Sequence, residues 1–181
     1  MNIQIPNHLL APLPQPFKLV EYKNRIKEFQ SWSVEKFGMM SVRKLVTARS
    51  DFVDFILLNV WQHVELHHEE DVSLIAVGGF GRGELHPESD IDLLVLSGKT
   101  LKPSASEKIS LFLTILWDLK FDVGHAVRSI KEAIVAGRED ITIATNLMER
   151  RLVCGNNHNF ESLEVELNKS RFISSQDFYL K

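Results

Sequence analysis

The sequence predicts an α+β or α/β domain behind a helical N-terminal arm. Residues 18–68 carry apolar side chains at helical spacing. Two short β-prone runs follow, at residues 73–77 and 91–96, with a glycine-rich segment between them. Beyond residue 100, helical and strand-like patterns alternate. A block of helix followed by alternating strands and helices is typical of these two fold classes.

The chain divides into three segments by composition. Residues 1–17 contain Pro6, Pro12, Pro14 and Pro16, so we expect an extended lead-in. Residues 18–70 form the helical arm, which a turn near Gly38 should divide into two helices. Residues 71–181 form the domain that contains the sheet. The sequence contains no internal repeat.

Helix boundaries in the second half are predicted from capping residues. Ser104 with Glu107, and Ser129 with Glu132, have the spacing of capping boxes. We expect the second of these helices to end near Gly137, because glycine favours helix ends. A third strand is predicted at residues 120–128.

The last clear helix is predicted to start at Asp140, a good N-cap residue. It would carry Ile143, Leu147 and Leu152 and end before Gly155. Residues 156–159 look like a loop, and the remainder shows only weak periodicity.

Composition excludes several classes of protein. A hydrophobic content of 44% and a charged content of 25% are those of a soluble globular domain. The net charge of −3 argues against nucleic acid as a partner. The most apolar run, residues 109–119, is too short to span a membrane, and no signal peptide is apparent. We therefore expect a cytoplasmic protein whose one cysteine, Cys154, is a buried bystander.

Asp90 and Asp92 are the first candidates for chemistry. Residues two apart on a strand project from the same face, about 6.5–7 Å apart. Such carboxylates could hold divalent metal ions for phosphoryl chemistry. They also begin an apolar strand, where unpaired carboxylates would be costly to bury. The alternative is that Asp90 caps a turn and Asp92 pairs with a nearby base.

The glycine-rich segment just upstream is the second candidate. Gly78, Gly79, Gly81 and Gly83 directly follow a strand, so their backbone amides could cradle phosphate. Arg82 could contact a phosphate through its forked guanidinium. Alternatively, the glycines only redirect the chain.

Two common phosphate motifs are excluded by the residues that follow these glycines. No Gly-Lys-Ser or Gly-Lys-Thr ending is present, so the segment is not a P-loop. The dinucleotide-binding fingerprint is Gly-x-Gly-x-x-Gly. Counted from Gly79, its third glycine would fall on Glu84, and counted from Gly81 it would fall on His86, so the fingerprint is absent.

Taken together, these residues resemble the DNA polymerase beta-like nucleotidyltransferase superfamily. More narrowly, they are similar to the bifunctional uridylyltransferase/uridylyl-removing enzymes that modify the bacterial nitrogen regulator PII. The similarity is carried by residues 78–87, Gly-Gly-Phe-Gly-Arg-Gly-Glu-Leu-His-Pro, and by residues 89–94, Ser-Asp-Ile-Asp-Leu-Leu. It continues through residues 116–118, 123–128 and 144–147.

The resemblance implies a fold and a mechanism. The fold would be an α+β nucleotidyltransferase fold with a small mixed sheet. Asp90 and Asp92 would bind Mg²⁺ and the phosphates of UTP, while Gly78 and Gly79 would bind phosphate. A tyrosine hydroxyl of PII would attack the α-phosphorus and release pyrophosphate. Arg82 and Ser89 are further candidates for contacts with the nucleotide or for support of the turn.

The superfamily usually has a third carboxylate on a later strand. Asp122 is the candidate, because it lies in a predicted strand just before Gly124. A solvated salt bridge would explain Asp122 equally well, and Asp118 and Asp140 are further options that look more like helix-end residues.

The chain is much shorter than the proteins it resembles, which continue into a metal-dependent HD hydrolase domain and glutamine-sensing ACT domains. We expect this chain to lack both and its nucleotidyltransferase domain to be truncated. Two alternatives therefore stay open: transfer of adenylyl or another nucleotidyl group to a different acceptor, and a non-catalytic module that binds nucleotide or PII.

Overall fold

A four-stranded mixed sheet, with helices on both faces, forms the centre of the molecule. The computed structural model describes residues 4–13 and 16–169. Along the sheet the strand order is β3-β2-β1-β4. The strands are β1 Val72–Ala76, β2 Ile91–Ser97, β3 Val123–Ser129 and β4 Arg151–Gly155. The helices are α1 Leu19–Lys36, α2 Val42–His63, α3 Gly78–Gly81, α4 Pro103–Asp118, α5 Ile130–Glu139, α6 Ile141–Met148 and α7 Asn157–Lys169.

Strand β2 lies inside the sheet and is bonded on both edges. It pairs antiparallel with β1, so that Leu74 lies opposite Val95, and parallel with β3, so that Asp92 lies opposite Gly124. Strand β4 pairs antiparallel with the other edge of β1. An interior strand covered on both faces should be a nearly continuous apolar run, and residues 91–96 fit that description except at Asp92.

The alternating side chains of β2 enter two separate hydrophobic clusters. Leu93 and Val95 point towards α1, α2 and α4, which form the larger cluster with the sheet. Leu94 and Leu96 point to the opposite face, where α5, α6 and α7 cover the sheet. Asp92 shares the second face because it lies two residues before Leu94.

The helical arm forms as the sequence predicts. Helices α1 and α2 are separated by a turn in which Gly38 adopts a φ of 84°, a value that suits glycine. Their apolar faces pack together, with the rings of Phe29 and Phe52 stacked 4.1 Å apart. Since these residues belong to the same cluster as β2, the arm is part of the main core.

The expectation of an extended lead-in is wrong for its middle part. Asn7–Leu10 forms one turn of 3-10 helix. Leu9 and Leu13 are both buried against the arm, with 1% and 6% of their surfaces exposed. Burial of these two side chains outweighs the preference of the flanking prolines for extended backbone.

One of the two predicted capping boxes is present. Ser129 accepts a hydrogen bond from the amide of Glu132 at 3.3 Å, and the amide of Ser129 donates to the Glu132 carboxylate at 2.7 Å. The box at Ser104 is absent, because α4 begins at Pro103, whose fixed φ suits the first helical position, and Ser104 is therefore inside the helix rather than at its N-cap. Helix α5 continues through Gly137 to Glu139.

The region after α6 differs most from the prediction. Asp140 does cap α6, accepting from the amide of Thr142 at 2.7 Å. The helix stops at Met148, however, and Leu152 lies on β4. The supposed loop at 156–159 begins helix α7. Pairing with β1 imposes the strand, and local periodicity cannot reveal that partner.

The predicted fold class is confirmed: the chain is α+β, with one small mixed sheet and helices on both of its faces. Among the helices in the described part of the chain, none combines the length and apolarity needed to cross a membrane.

The tightest backbone contact of the glycine-rich turn, residues 78–83, is at Gly81. A Cβ atom at this position would lie 1.6 Å from the carbonyl oxygen of Glu149 and 2.9 Å from that of Ala76. Helix α3 therefore packs directly on the α6–β4 junction, and only glycine leaves room for that approach.

We predict that Gly81→Ala lowers the free energy of unfolding by about 2–3 kcal/mol, because two backbone segments must move apart. Urea denaturation followed by circular dichroism would measure the change. Gly38→Ala is the matched control: it meets open space and carries only the cost of its positive φ. Equal losses for both variants would contradict the packing argument.

Candidate active site

Asp92 lies where the sheet, the glycine turn and α6 meet. It is the second residue of β2 and is half-buried on the face covered by α5 and α6. Its backbone carbonyl accepts a hydrogen bond from the amide of Val77 at 3.1 Å, which fixes the end of β1 beside it. A cavity of about 180 Å³ opens at this point, lined by Asp92, Arg128 and Asn146 among others.

Two glycines make room for the Asp92 carboxylate. A Cβ atom on Gly124, its neighbour on β3, would lie 2.5 Å from Asp92 Oδ1. A Cβ atom on Gly78, in the turn after β1, would lie 3.4 Å from Asp92 Oδ2 and 3.1 Å from Asn146 Oδ1. The carboxylate thus stands between the sheet and the glycine turn, with an amide oxygen close by.

The environment disfavours a charge on Asp92. Burial raises the pKa of this carboxyl, and the negative charge of nearby Asp90 raises it further. Asp90 itself precedes β2 and is exposed. The two carboxylates predicted to act together are therefore close enough to repel each other, which is the arrangement that a divalent cation would relieve.

The glycine turn presents free backbone amides. Among the described residues, no acceptor pairs with the N–H groups of Gly78 and Gly79. Gly78 has a φ of 59°, in the left-handed region that glycine adopts most easily. Unpaired amides beside a carboxylate pair are suited to an anion that is bound together with a cation.

Arg82 lies at the end of this turn, but two carboxylates already engage it. Its guanidinium forms ion pairs with Glu149 and, at 3.4 Å, with Glu84. These contacts tie the turn to the α6–β4 junction. A direct contact of Arg82 with phosphate would require an exchange of partners.

Ser89 and Asp122 lie apart from this group. Both line a separate cavity of about 530 Å³ between the helical arm and the start of β2. The carbonyl of Asp122 accepts from the amide of Ile91 at 2.9 Å, which places it at the beginning of the β2–β3 pair. Within residues 4–13 and 16–169, no three carboxylate, histidine or cysteine side chains form a metal-binding cluster. The role of Asp122 as third carboxylate remains a prediction.

Sequence reasoning assigned no role to three residues that the structure places around Asp92: Gly124, Arg128 and Asn146. All three lie in the stretches that carry the family resemblance, at 123–128 and 144–147. The signal was therefore present in the sequence. Their spacing from Asp92 along the chain gave no indication that they surround it.

An ion pair anchors the glycine turn to the helical arm. Arg151 on β4 donates to both carboxylate oxygens of Asp54 on α2, at 2.7 and 3.2 Å. The same guanidinium donates to the carbonyl of Phe80 at 3.3 Å and lies over the Phe80 ring, 5.3 Å from its centroid. Burial raises the pKa of Asp54, although Arg151 opposes this effect.

Cys154 takes no part in this site. It lies on β4, half-buried, and burial raises its pKa to about 12, with a further increase from Asp54. A thiol with such a pKa is a poor nucleophile at neutral pH, in line with the bystander role expected from the sequence.

Comparison with known proteins identifies the family of this arrangement. Residues 59–150, slightly more than half of the chain, match the family model described as "Nucleotidyltransferase domain". This match spans α3, β1–β3 and the cluster around Asp92.

Curated relatives are similar over almost the whole chain. The bifunctional uridylyltransferase/uridylyl-removing enzyme of Vibrio atlanticus is 43% identical over 91% of this chain. Its counterpart in Vibrio campbellii is 44% identical over 99%, and that of Pseudoalteromonas translucida is 42% identical over 97%. The chain spans only about a fifth of the length of these relatives, between 19% and 20%.

Among solved structures, a crystal structure of a toxin–antitoxin with AMP-PNP aligns over 61% of this chain and 85% of that one. The identity is 20% and the TM-score 0.38. Similarity at that level supports no conclusion about function.

We predict that Asp92→Asn raises the melting temperature at pH 7.5 in the absence of divalent cations. Because the folded-state pKa of Asp92 is raised, its full contribution to stability is present only below about pH 3.9, the ordinary aspartate value, and is lost as the pH rises through the folded pKa. Asparagine does not ionise, so the variant avoids that loss. Its stability advantage over the wild type should therefore shrink as the pH falls towards about 4.

Differential scanning fluorimetry at several pH values, with EDTA present, would measure this difference. Added Mg²⁺ should then raise the melting temperature of the wild type and have little effect on Asp92→Asn. A variant less stable than the wild type at pH 7.5 would contradict the burial penalty and the repulsion from Asp90 that raise the pKa of Asp92.

Proposed function

The chain belongs to the nucleotidyltransferase domain family, and we propose that this transferase domain moves UMP from UTP to a tyrosine of the nitrogen regulator PII in the cytoplasm. The observation that carries the proposal is the position of the Asp92 carboxylate beside the Gly78–Gly79 turn, whose amides have no acceptor among the described residues. Identity of 43% to a uridylyltransferase over 91% of the chain supports UMP as the group transferred.

The donor set around Asp92 fits a divalent cation. Oxygens of Asp92 and Asn146 converge beside Gly78, and Asp90 supplies a second carboxylate at the start of β2. Hard oxygen ligands of this kind suit Mg²⁺, which usually keeps several waters and binds substrate phosphates through one or two carboxylates. When bound, Mg²⁺ would neutralise charge on the attacking and leaving oxygens.

The remaining residues position the triphosphate. The amides of Gly78 and Gly79 would donate to phosphate oxygens, and Arg128 on the same face as Asp92 adds a positive charge to the cavity. Catalysis of phosphoryl transfer depends mainly on such positioning and electrostatics. At about 180 Å³ the cavity encloses only part of a nucleotide, since whole ligand sites measure about 300–1,000 Å³.

The reaction itself is a substitution at the α-phosphorus. The tyrosine oxygen forms a bond to that phosphorus, and the bond to the oxygen bridging the α- and β-phosphorus atoms breaks. Pyrophosphate leaves, and the hydroxyl proton passes to solvent. The product is a uridylylated tyrosine.

We predict that the wild-type chain transfers label from α-labelled UTP to purified PII in the presence of Mg²⁺, and that the Asp90→Asn/Asp92→Asn double variant is at least about 1,000-fold slower. Gel autoradiography would measure transfer. Transfer from ATP alone, or to another acceptor, would replace the proposal with a different nucleotidyl transfer. Nucleotide binding without transfer would indicate a non-catalytic module.

We predict that Gly124→Ala lowers kcat/KM about 100-fold while the protein remains folded, because its Cβ atom would displace the Asp92 carboxylate by roughly 1 Å. A Cβ atom at this position would lie only 2.5 Å from Asp92 Oδ1, which leaves no space for a methyl group. Val127→Ala, which alters the other face of β3 at an exposed position, is the matched control. Full activity of Gly124→Ala would contradict a role for the Asp92 carboxylate in the reaction.

A further inference from the structure

Arg128 is the one half-buried arginine without a partner among the residues that the structure describes. Half-buried arginines occur there at five positions, Arg25, Arg49, Arg128, Arg150 and Arg151. The other four each donate a hydrogen bond to a carbonyl or carboxylate oxygen. The guanidinium of Arg128 makes no hydrogen bond or ion pair within residues 4–13 and 16–169. Covering a charge without pairing it is costly, so an anion from outside the chain would stabilise it.

Arg128 lines the same cavity as Asp92. Strand β3 runs parallel to β2 with Gly124 opposite Asp92, and Gly124, Ala126 and Arg128 alternate onto the face that Asp92 shares. Gly124 has no side chain and Ala126 has only a methyl group, so nothing bulky on β3 stands between Arg128 and Asp92. Both residues line the cavity of about 180 Å³ beside the glycine turn. Among the described residues of that lining, Asp92 is the one acid and Arg128 the one arginine or lysine.

Neither nearby carboxylate pairs with Arg128. Asp92 forms no ion pair with it, and burial and Asp90 together raise the pKa of Asp92. Glu132, on α5, is held by Ser129, whose amide and hydroxyl donate to its carboxylate at 2.7 and 2.8 Å. These bonds lower the pKa of Glu132, and the charge of Arg128 adds a smaller effect without direct contact. The guanidinium is therefore available to an anion that is not part of the described chain.

The arginine of the glycine turn, Arg82, is in the opposite situation. Its guanidinium is already bound by Glu149 and Glu84. Phosphate could reach Arg82 only after those ion pairs break, whereas Arg128 would lose no partner on binding an anion. The glycine-rich motif favours Arg82 as the phosphate-binding arginine, but the contacts in the folded chain favour Arg128.

We propose that Arg128 binds the pyrophosphate half of the nucleotide, the β- and γ-phosphates that leave in the reaction. The inference rests on the proposed function and names the residue that holds the leaving group. The α-phosphorus must react beside Asp90 and Asp92, whereas Arg128 lies four residues beyond Gly124 on β3 and so reaches the outer phosphates instead. Its planar guanidinium can donate two parallel hydrogen bonds to phosphate. There it stabilises the negative charge that develops as the bond from the α-phosphorus to the bridging oxygen breaks.

The stability of the free protein tests whether the guanidinium lacks a partner. Arg128→Met keeps an unbranched apolar stem and removes the charge, so its melting temperature without ligand should equal or exceed that of the wild type. Arg138→Met makes the same change at an exposed position on α5, outside the cavity, and is the matched control. Differential scanning fluorimetry would measure both variants. A melting temperature of Arg128→Met well below that of the control would show that the chain itself pairs the guanidinium, and would overturn the inference.

Binding of inorganic pyrophosphate tests the assignment without catalysis. Isothermal titration calorimetry with Mg²⁺ present should show binding to the 181-residue wild type and about 30-fold weaker binding to Arg128→Met. Arg128→Lys keeps the charge but loses the fork, so its binding should be about fivefold weaker. Arg138→Met should match the wild type, and UMP, which lacks the pyrophosphate, should bind all of these proteins alike. No pyrophosphate binding to the wild type, equal affinity for Arg128→Met, or a loss of UMP binding instead would overturn the inference.

Steady-state uridylylation adds a kinetic signature. Arg128→Met should raise the KM for UTP about 30-fold and weaken product inhibition by pyrophosphate by about the same factor, while the KM for PII stays unchanged. A residue that only supports the fold would not move the UTP and pyrophosphate constants together and spare the constant for PII. Unchanged constants for both UTP and pyrophosphate would contradict the assignment of Arg128 to the leaving group.

The binding and kinetic measurements distinguish failure of this inference from failure of the proposed function. A wild-type chain that labels no PII but binds pyrophosphate through Arg128 would keep the anion site and remove PII as the acceptor. Labelling of PII by Arg128→Met with the KM for UTP of the wild type would keep the proposed function and overturn the role of Arg128.

Discussion

Burial of β2 on both faces is the constraint on which the rest of the structure depends. The strand is bonded to β1 and β3 and covered by α1, α2 and α4 on one face and by α5–α7 on the other. Asp90 immediately precedes the strand and Asp92 is its second residue, so both predicted metal ligands come before the run becomes wholly apolar. Asp92 is therefore held rigidly by the core while its carboxylate stays at the edge of a cavity. That position accounts for its raised pKa and is compatible with the metal-binding role proposed for it.

The helical arm contributes to the site as well as to the core. Asp54 of α2 orients Arg151 of β4, and Arg151 holds the carbonyl of Phe80 inside the glycine turn. Three parts of the chain far apart in sequence are joined by this one guanidinium. Removing one partner of this partly buried pair leaves the other charge without its partner, which is usually more costly than losing an exposed pair. The geometry of the glycine turn thus depends on residues of the arm.

Two cavities lie on either side of the start of β2. One contains Asp92 and lies beside the glycine turn, where the amides of Gly78 and Gly79 have no acceptor among the described residues. The other lies between the helical arm and the start of β2, and the predicted residues Ser89 and Asp122 line it. Asp92 therefore belongs with the glycine turn, whereas Ser89 and Asp122 stand on the side of the helical arm.

The sequence by itself determined the fold class, the helical arm, the positions of β1 and β2 and the glycine turn beside Asp90 and Asp92. These features are local: periodicity, glycine conformations and a capping box such as that of Ser129 act over a few residues. Only the tertiary structure decided that residues 151–155 form a strand, because their partner is β1, some eighty residues earlier. It also decided that Gly124 and Asn146 surround Asp92 while Ser89 and Asp122 line a different cavity. The physical reason is that pairing across a sheet and contact between helices bring together residues whose separation along the chain carries no information about their separation in space.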